Sequence, residues 1–281
     1  MSDYIRQHAV AIDYKIGESW SILNEIEQSI KQKIEAVGTP LKDWNIEIKR
    51  GILTGLNEAF IISKEKRDEL ISADPKSAEI IRPILRGRDI KRCKYNFSEL
   101  YVITAYKGIN KIIEEEYPAI YNHLKKYEKK LRQRGQVEGK QGKKGSNQHH
   151  WTELDNNISL EKLDDFSKQK IIFSEMVQSP QFYLDNEQYI VNDTVTFISG
   201  QNLDSLINYL NSQIIFNIYS LFYSGGGLGK KGVRVKKTFL EELPIPLVSI
   251  ICDTSNEIEK KIGQILNLSQ QELQFILDEI K

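Results

Sequence analysis

The chain has 281 residues, with 39 Lys or Arg against 39 Asp or Glu, so its formal net charge is zero. This balance argues against a chain that is basic over its whole surface, but it is compatible with basic patches on one face. Two distant cysteines, Cys93 and Cys252, argue against a disulfide framework and a zinc site. Together with a polar N-terminus and no membrane-length apolar run, they predict a cytoplasmic protein that does not cross a membrane.

The first predicted element is a helix from about Ser19 to Val37, ended by Gly38 and Pro40. Its apolar residues form one narrow stripe at helical spacing: Ile22, Ile26, Ile30, Ile34 and Val37. Two interpretations stay open for this stripe. It packs on the core of the domain itself, or it pairs with a partner helix in a coiled coil.

The stretch from Asn45 to Phe60, NIEIKRGILTGLNEAF, is the one around which the rest of the chain is organised. Alternation of Ile46 and Ile48 with charged residues predicts a short strand. Gly55 and Asn57 are residue types that tolerate a left-handed backbone, so the pattern predicts a tight connection to a second strand that ends at about Ile62.

A second stretch, Ile80 to Arg92 (IIRPILRGRDIKR), concentrates cations around Gly87. It comes after two helices that begin at Ser63 and at Asp74–Pro75, and it precedes a buried strand predicted over Leu100–Thr104. Guanidinium groups beside a glycine suit contacts with phosphates or base edges. The alternative is that Arg86 and Arg88 pair with Asp89 and brace the fold.

Together, GILTGLNEAFIIS and EIIRPILRGRDIKR closely resemble the TaqI-like C-terminal specificity domain. The resemblance runs from about Trp44 to the C-terminus. It implies the DNA target recognition domain of adenine-N6 methyltransferases and of fused type IIG restriction–modification enzymes, which is related to type I specificity subunits. It is silent on the DNA sequence that is read.

The most biased segment, from Lys125 to Trp151, overlaps the end of a helix predicted from Tyr117–Pro118 to about Arg134 and carries nine Lys or Arg against two Glu. Its composition predicts a basic loop that contributes nothing to the core. The loop either lies along phosphates or is solvated without a role. His149 and His150 lack further ligands at metal-binding spacing, so no metal site is predicted there.

Three or four strands are predicted between Lys170 and Ser199, followed by a helix over Asp204–Phe222. The segment Ser224–Lys237 matches GxGxxG formally, but a helix precedes it and a strand comes after it, which excludes the dinucleotide fingerprint. Its five cations and several glycines suit close approach to a polyanion. Pro244 and Pro246 end the preceding element, and the capping box of Ser269 and Glu272 predicts a last helix.

Catalytic motifs are missing from the sequence. An NPPY-like loop, a glycine-rich cofactor motif and a metal-dependent nuclease signature are all absent, so no catalytic residue, metal site or cofactor is predicted in this chain. S-adenosylmethionine and Mg²⁺ are expected only for a larger parent enzyme. Two alternatives stay open. One is a stand-alone specificity subunit that acts through protein partners docked on its terminal helices, and the other is an unrecognised metal-dependent nuclease.

The sequence therefore predicts an α+β fold with a twisted, mixed, largely antiparallel sheet and flanking helices. It predicts a helical linker over residues 1–43, a target recognition domain over 44–247 and a helical segment over 248–281. The expected partners are double-stranded DNA and methyltransferase or endonuclease domains, in cis or in trans. The candidate DNA-binding residues are Lys49, Arg50, Thr54, Asn57, Arg86, Arg88, Lys91, Arg92, Lys140, Lys143, Lys144, Lys230, Lys231, Arg234, Lys236 and Lys237.

Overall fold

A computed structural model describes residues 23–137, 149–225, 232–250 and 254–278. Its α-helices are α1 (Glu25–Val37), α2 (Asn57–Phe60), α3 (Lys64–Ala73), α4 (Ile113–Glu116), α5 (Pro118–Lys125), α6 (Glu128–Arg132), α7 (Leu160–Asp164), α8 (Leu203–Leu210), α9 (Gln213–Ile218), α10 (Lys237–Leu240), α11 (Ser255–Ile265) and α12 (Gln270–Asp278). Its strands are β1 (Gly38–Pro40), β2 (Ile46–Arg50), β3 (Ile61–Ser63), β4 (Ile81–Leu85), β5 (Ile90–Lys91), β6 (Lys94–Tyr95), β7 (Leu100–Ile103), β8 (Lys170–Ser174), β9 (Met176–Val177), β10 (Phe182–Asp185), β11 (Ile190–Val191), β12 (Val195–Gly200), β13 (Val233–Arg234) and β14 (Pro244–Pro246).

The first sheet has the order β10-β8-β12-β2, and each neighbouring pair is antiparallel. Both faces of this sheet are buried. Ile172 and Phe197 pack into one hydrophobic cluster, while their chain neighbours Ile171 and Ile198 pack into a second cluster on the opposite face. Successive side chains of a strand point to opposite faces, so near-continuous apolar runs are expected in a sheet that is covered on both sides.

A second sheet has the order β11-β4-β7-β3, with only the β11–β4 pair parallel. The two sheets meet at Gly51 and Ile52. Gly51 N donates to Val195 O at 2.9 Å, and Ile52 N donates to Val191 O at 2.8 Å. A Cβ added to Gly51 would lie 2.1 Å from the Asn192 carbonyl oxygen, so only glycine fits at this junction. The mixed, mostly antiparallel α+β fold predicted from the sequence is confirmed.

The predicted tight connection from β2 to a second strand is wrong in part, because a helical turn lies between the two strands and they belong to different sheets. Gly55 has a φ of 69°, as its residue type suggested, but Asn57–Phe60 then forms a helical turn. The next strand, β3, belongs to the second sheet and pairs with β7. The turn therefore passes the chain from one sheet to the other.

The prediction that the segment Lys125–Trp151 contributes nothing to the core is also wrong in part. Residues 125–137 include the end of α5 and all of α6, and Leu131, Val137 and Trp151 are buried in the first cluster. The long helix predicted from Pro118 is broken into α5 and α6. The helix predicted over Asp204–Phe222 likewise breaks at Asn211–Ser212, where the Ser212 hydroxyl accepts from Ile215 N and caps α9.

The middle of the apolar stripe of α1 packs on the protein's own core, which favours the first interpretation of that helix, while Val37 at its end is 45% exposed and Ile22 lies outside the described residues. Ile30 and Ile34 are fully buried in the second cluster, together with Ile262 of α11 and Ile276 of α12. The helices at both ends thus share one cluster with the first sheet. The domain boundaries at residues 43 and 247 stay predictions. No helix in the described part of the chain is long and apolar enough to span a membrane.

Glu272 ties the two ends of the chain together. Its side chain accepts hydrogen bonds at 2.6 Å from both Ser29 and Lys33 of α1. It also completes the predicted capping box, because it accepts from Ser269 N at 2.7 Å. Burial alone raises the pKa of Glu272, but the hydrogen bonds from Lys33, Ser29 and Ser269 outweigh that effect and lower the pKa to about 2.

Replacing Glu272 with Gln is expected to reduce the acid sensitivity of the fold. The folded pKa lies below the unfolded value of 4.5, so the carboxylate stabilises the fold above that pH and loses its effect as the pH falls toward 2. Between these values the parent should lose about 3 kcal/mol more stability than E272Q. Urea unfolding at a series of pH values measures the difference. E241Q, which removes a surface partner of Lys237, is the control and should follow the parent.

Candidate nucleic-acid interface

Loops from both sheets converge where several strands begin or end. We call this region the strand-end edge and define it by Arg50, Gly87–Arg88, Ser174–Gln178, Asn192–Thr194 and Gly232–Lys236. The turn between β11 and β12 lies at its centre. Arg50 Nε donates to Asp193 O at 2.7 Å, and Gly87 N donates to Thr194 Oγ1 at 3.3 Å.

Close packing fixes the loop after β4. A Cβ added to Gly87 would lie 2.9 Å from Ser174 Oγ and 3.3 Å from Thr194 Oγ1. The short 3₁₀ turn Gly87–Asp89 therefore rests against the end of β8 and the β11–β12 turn. Arg88 is carried on this turn and is exposed.

A two-stranded antiparallel ribbon forms the remaining part of the edge. Val233 pairs with Val177, and Arg234 pairs with Met176. Val235 N donates to Glu175 O at 2.8 Å, which attaches the ribbon to the end of the first sheet. The ribbon is thereby attached at Glu175, directly after Ser174, the residue against which Gly87 packs.

Cations exceed acids on the strand-end edge. The edge contains two carboxylates, those of Glu175 and Asp193. It contains four cations, namely Arg50, Arg88, Arg234 and Lys236. Arg50 lies 4.0 Å from the Asp193 carboxylate. For the side chains of Arg88, Arg234 and Lys236, the described residues provide no hydrogen-bond or ion-pair partner. These three groups can therefore meet an external anion without first breaking an internal contact.

Other candidate residues have partners within the protein. Lys49 Nζ lies 2.7 Å from an Asp165 oxygen and 2.6 Å from a Glu47 oxygen. Burial lowers the pKa of Lys49, but these two hydrogen bonds outweigh it and raise the pKa. Thr54 is buried, and its hydroxyl donates to Asn57 Oδ1 at 2.6 Å. Both Thr54 and Asn57 thus shape the turn after β2.

Arg86 and Arg88 differ although both were candidates. The Arg86 guanidinium donates to both carboxylate oxygens of Asp89, at 2.9 and 3.0 Å, and to Ser98 Oγ at 2.8 Å. Burial raises the pKa of Asp89, but the hydrogen bonds from Arg86 outweigh it and hold the pKa below its ordinary value. The bracing alternative therefore describes Arg86, while Arg88 has no such partner among the described residues.

The remaining candidates lie elsewhere or outside the described residues. Lys91 is half-buried on β5, and Arg92 lies 3.9 Å from Glu259 of α11. Lys237 pairs with Glu241 at 3.6 Å within one helical segment. Five candidates fall outside the described ranges: Lys140, Lys143, Lys144, Lys230 and Lys231.

Two residues of the edge were missed from the sequence. Met176 has a 56% exposed side chain, although a methionine in an apolar run suggests core. Gln178 is exposed two residues later, in a connection between strands. Only the register of β9 with β13 shows that these residues lie beside Arg234. Among the described residues, no group of three or more His, Cys, Asp or Glu side chains is placed to hold a metal ion.

The fold and the edge define a mixed α+β domain that presents cations on loops between its strands. The family model of the TaqI-like C-terminal specificity domain matches residues 82–245, which is more than half of the chain. The chain therefore belongs to the TaqI-like C-terminal specificity domain family. The family resemblance seen in the sequence is confirmed over residues 82–245, a range that begins after GILTGLNEAFIIS and ends before the C-terminus.

The solved structures that are similar to this chain include two restriction enzymes. One is the type IIG restriction endonuclease BpuSI, at 14% identity and a TM-score of 0.48, covering 86% of this chain and 28% of that chain. The other is the type IIL restriction-modification enzyme MmeI in complex with DNA, at 11% identity and a TM-score of 0.50, covering 86% of this chain and 33% of that chain. The chain thus spans a third or less of the length of these structures. Among curated proteins, none matches the sequence.

Proposed function

We propose that this chain recognises a specific sequence in double-stranded DNA and positions methyltransferase or endonuclease domains, in cis or in trans, on that site. The observation that carries the proposal is the strand-end edge, where Arg88, Arg234 and Lys236 have no partner among the described residues. Cations of this kind neutralise phosphates, and arginine also hydrogen-bonds base edges. Membership of a specificity-domain family supports the same function.

The other domains of a larger enzyme supply the chemistry in this proposal. They hold S-adenosylmethionine and Mg²⁺, for which we propose no site in this chain. The pure chain should therefore bind DNA without transferring a labelled methyl group to it and without cleaving plasmid. Either activity in the pure chain contradicts this division of roles.

The packing of the terminal helices does not support the hypothesis that they bind a protein partner. Ile30 and Ile34 of α1 are buried in the second cluster, and Glu272 joins α1 to α12, while Val37 and Leu277 are each 45% exposed. We therefore favour recognition of DNA over the alternative in which the terminal helices bind a protein partner and the chain acts mainly through that partner. Size-exclusion mass of the pure chain with and without duplex DNA separates the two.

Neutralising the edge is expected to flatten the salt dependence of DNA binding. Each phosphate contact contributes about 0.9 to the slope of log affinity against log salt. The triple variant R88A/R234A/K236A should therefore lose about 0.9 of slope for each of the three side chains that contacts a phosphate, and should lose affinity as well where an arginine contacts a base edge. Binding of a duplex chosen from a random library, measured by fluorescence anisotropy at several salt concentrations, gives the slope.

The matched control is K42A/K64A/K130A, which changes the net charge by the same amount. Each of these lysines is already paired with a glutamate, namely Glu242, Glu99 and Glu58. The control should keep the parent's slope. If the edge variant binds with the parent's affinity and slope, the strand-end edge is not the DNA interface.

A further inference from the structure

The ribbon formed by β9 and β13 has two faces of opposite character. Successive strand residues alternate between faces. Val177, Val233 and Val235 point inward and are 6%, 6% and 1% exposed. Met176 and Arg234 therefore lie on the outer face, where Met176 is 56% exposed. The same alternation places Gln178 and Lys236 outward, and both are exposed.

The two strands of the ribbon pack closely against each other at Gly232. Gly232 lies beside Gln178 with a φ of 109°, and a Cβ added there would lie 2.6 Å from the Val177 carbonyl oxygen. Among the described residues, none hydrogen-bonds or forms an ion pair with the side chains of Gln178, Arg234 or Lys236. The face thus combines three unused polar groups with one exposed apolar side chain, and these four residues include no carboxylate.

This combination matches the chemistry of the major groove of DNA. The major groove admits a two-stranded β-ribbon, and thymine is the base that displays a methyl group there. Arginine and glutamine hydrogen-bond purine edges, while lysine neutralises phosphate. The thymine methyl group is the apolar contact that this groove offers to an exposed methionine lying between such polar groups.

We propose that the outer face of this ribbon enters the major groove and that Met176 contacts the C5-methyl group of one thymine of the target. The inference rests on the proposed function, and it assigns a specificity-determining role to a residue that no sequence pattern marked. Arg234 and Gln178 flank Met176 and hydrogen-bond neighbouring base edges. Lys236 contacts the phosphate backbone.

Removal of single methyl groups from the target tests the contact. The parent chain first selects a consensus from a random duplex library. Each thymine of the consensus is then replaced by uracil, which keeps the Watson–Crick edge and lacks only the methyl group. We expect one position at which this replacement weakens binding about fourfold, the effect of burying roughly one methyl group.

The variant M176A should lose the response to uracil at that position, because the partner of the methyl group is gone. M176L should retain it, since leucine still supplies an apolar contact. L247A removes another exposed apolar side chain and should leave the response unchanged. Melting temperatures should agree among all these chains, because Met176 and Leu247 are exposed.

The inference and the proposed function fail in different ways. If the parent selects a sequence and M176A shows the same consensus and the same uracil response, Met176 does not read a thymine and the inference is wrong. A consensus without a T·A pair also overturns it, while leaving sequence recognition intact. If the parent selects no sequence at all, the proposed function itself is overturned.

Discussion

Replacing Arg134 with methionine is expected to lower the free energy of unfolding by about 3–5 kcal/mol, as removal of one member of a buried charge network does. The guanidinium is buried, with 7% of the residue exposed. It donates to the carbonyl oxygens of Thr54, Trp151 and Glu153 at 2.8–3.0 Å, and to the Asp155 carboxylate at 3.1 Å. Methionine fills a similar volume but satisfies none of these acceptors.

The large effect arises because Arg134 connects two separate segments. Thr54 belongs to the turn after β2, while Trp151, Glu153 and Asp155 belong to the segment that precedes α7. The adjacent Gly55 has a φ of 69°, and a Cβ there would lie 2.5 Å from an Asp155 oxygen. The turn and the arginine network therefore pack as one unit.

Denaturation by urea measures the prediction. The control is R132M, because Arg132 is exposed and its two contacts are weak. Its ion pair with Glu128 is worth about 0.3–0.5 kcal/mol, and its cation–π contact with the Trp151 ring, at 5.3 Å, is worth about 0.5–1 kcal/mol. R134K tests the geometry, since a lysine ammonium cannot reproduce the planar fork of donors. An unfolding midpoint of R134M equal to that of the parent would show that the network does not brace the fold.

Local signals in the sequence predicted local structure well. Alternation in Ile46–Lys49 predicted β2, and Ser63 caps α3 by accepting from Lys66 N. The capping box of Ser269 and Glu272 is present as the spacing indicated. In each case the signal and the structure involve residues within one turn or one strand. Such patterns depend on local geometry alone.

Features that depend on distant partners were not predictable in the same way. Gly55 and Asn57 indicated a turn, but the next strand joins another sheet because its partner is β7. The composition of Lys125–Trp151 concealed the burial of Val137 and the arginine network, since an average over charged residues does not show which side chains face the core. Met176 was missed for the related reason that exposure depends on strand pairing.

In the candidate site, the partners of two residues that are close in the sequence could not be predicted either. Arg86 and Arg88 are two positions apart, and the sequence left open whether either pairs with Asp89. The 3₁₀ turn at Gly87–Asp89 directs the Asp89 carboxylate back to Arg86 and leaves Arg88 exposed. The residue types therefore predicted a region rich in cations. Which of these cations pairs with Asp89 depends on the conformation of the 3₁₀ turn, which the residue types do not show.

This difference gives a matched pair of variants. R86A is expected to destabilise the fold by about 1.5–3 kcal/mol, the contribution of hydrogen bonds to a charged group. Asp89 is only 3% exposed and would lose its bidentate partner. Because hydrogen bonds from Arg86 hold the pKa of Asp89 below its ordinary value, that pKa should rise in R86A. The added stability loss should therefore be greatest above the pKa of the unfolded carboxyl group.

R88A is expected to melt as the parent does and to weaken binding of the selected duplex roughly five- to a hundredfold, if Arg88 hydrogen-bonds a guanine. Its consensus should also relax at one base position, because a bidentate arginine contact contributes about 1–3 kcal/mol of discrimination. Thermal melting and repeated selection from the random library measure the two effects separately. A uniform loss of affinity with an unchanged consensus would place Arg88 on a phosphate. R88A could instead melt at a lower temperature and bind DNA with the parent's affinity and consensus. That result would mean that Arg88 stabilises the fold, as Arg86 does, and does not contact the DNA target.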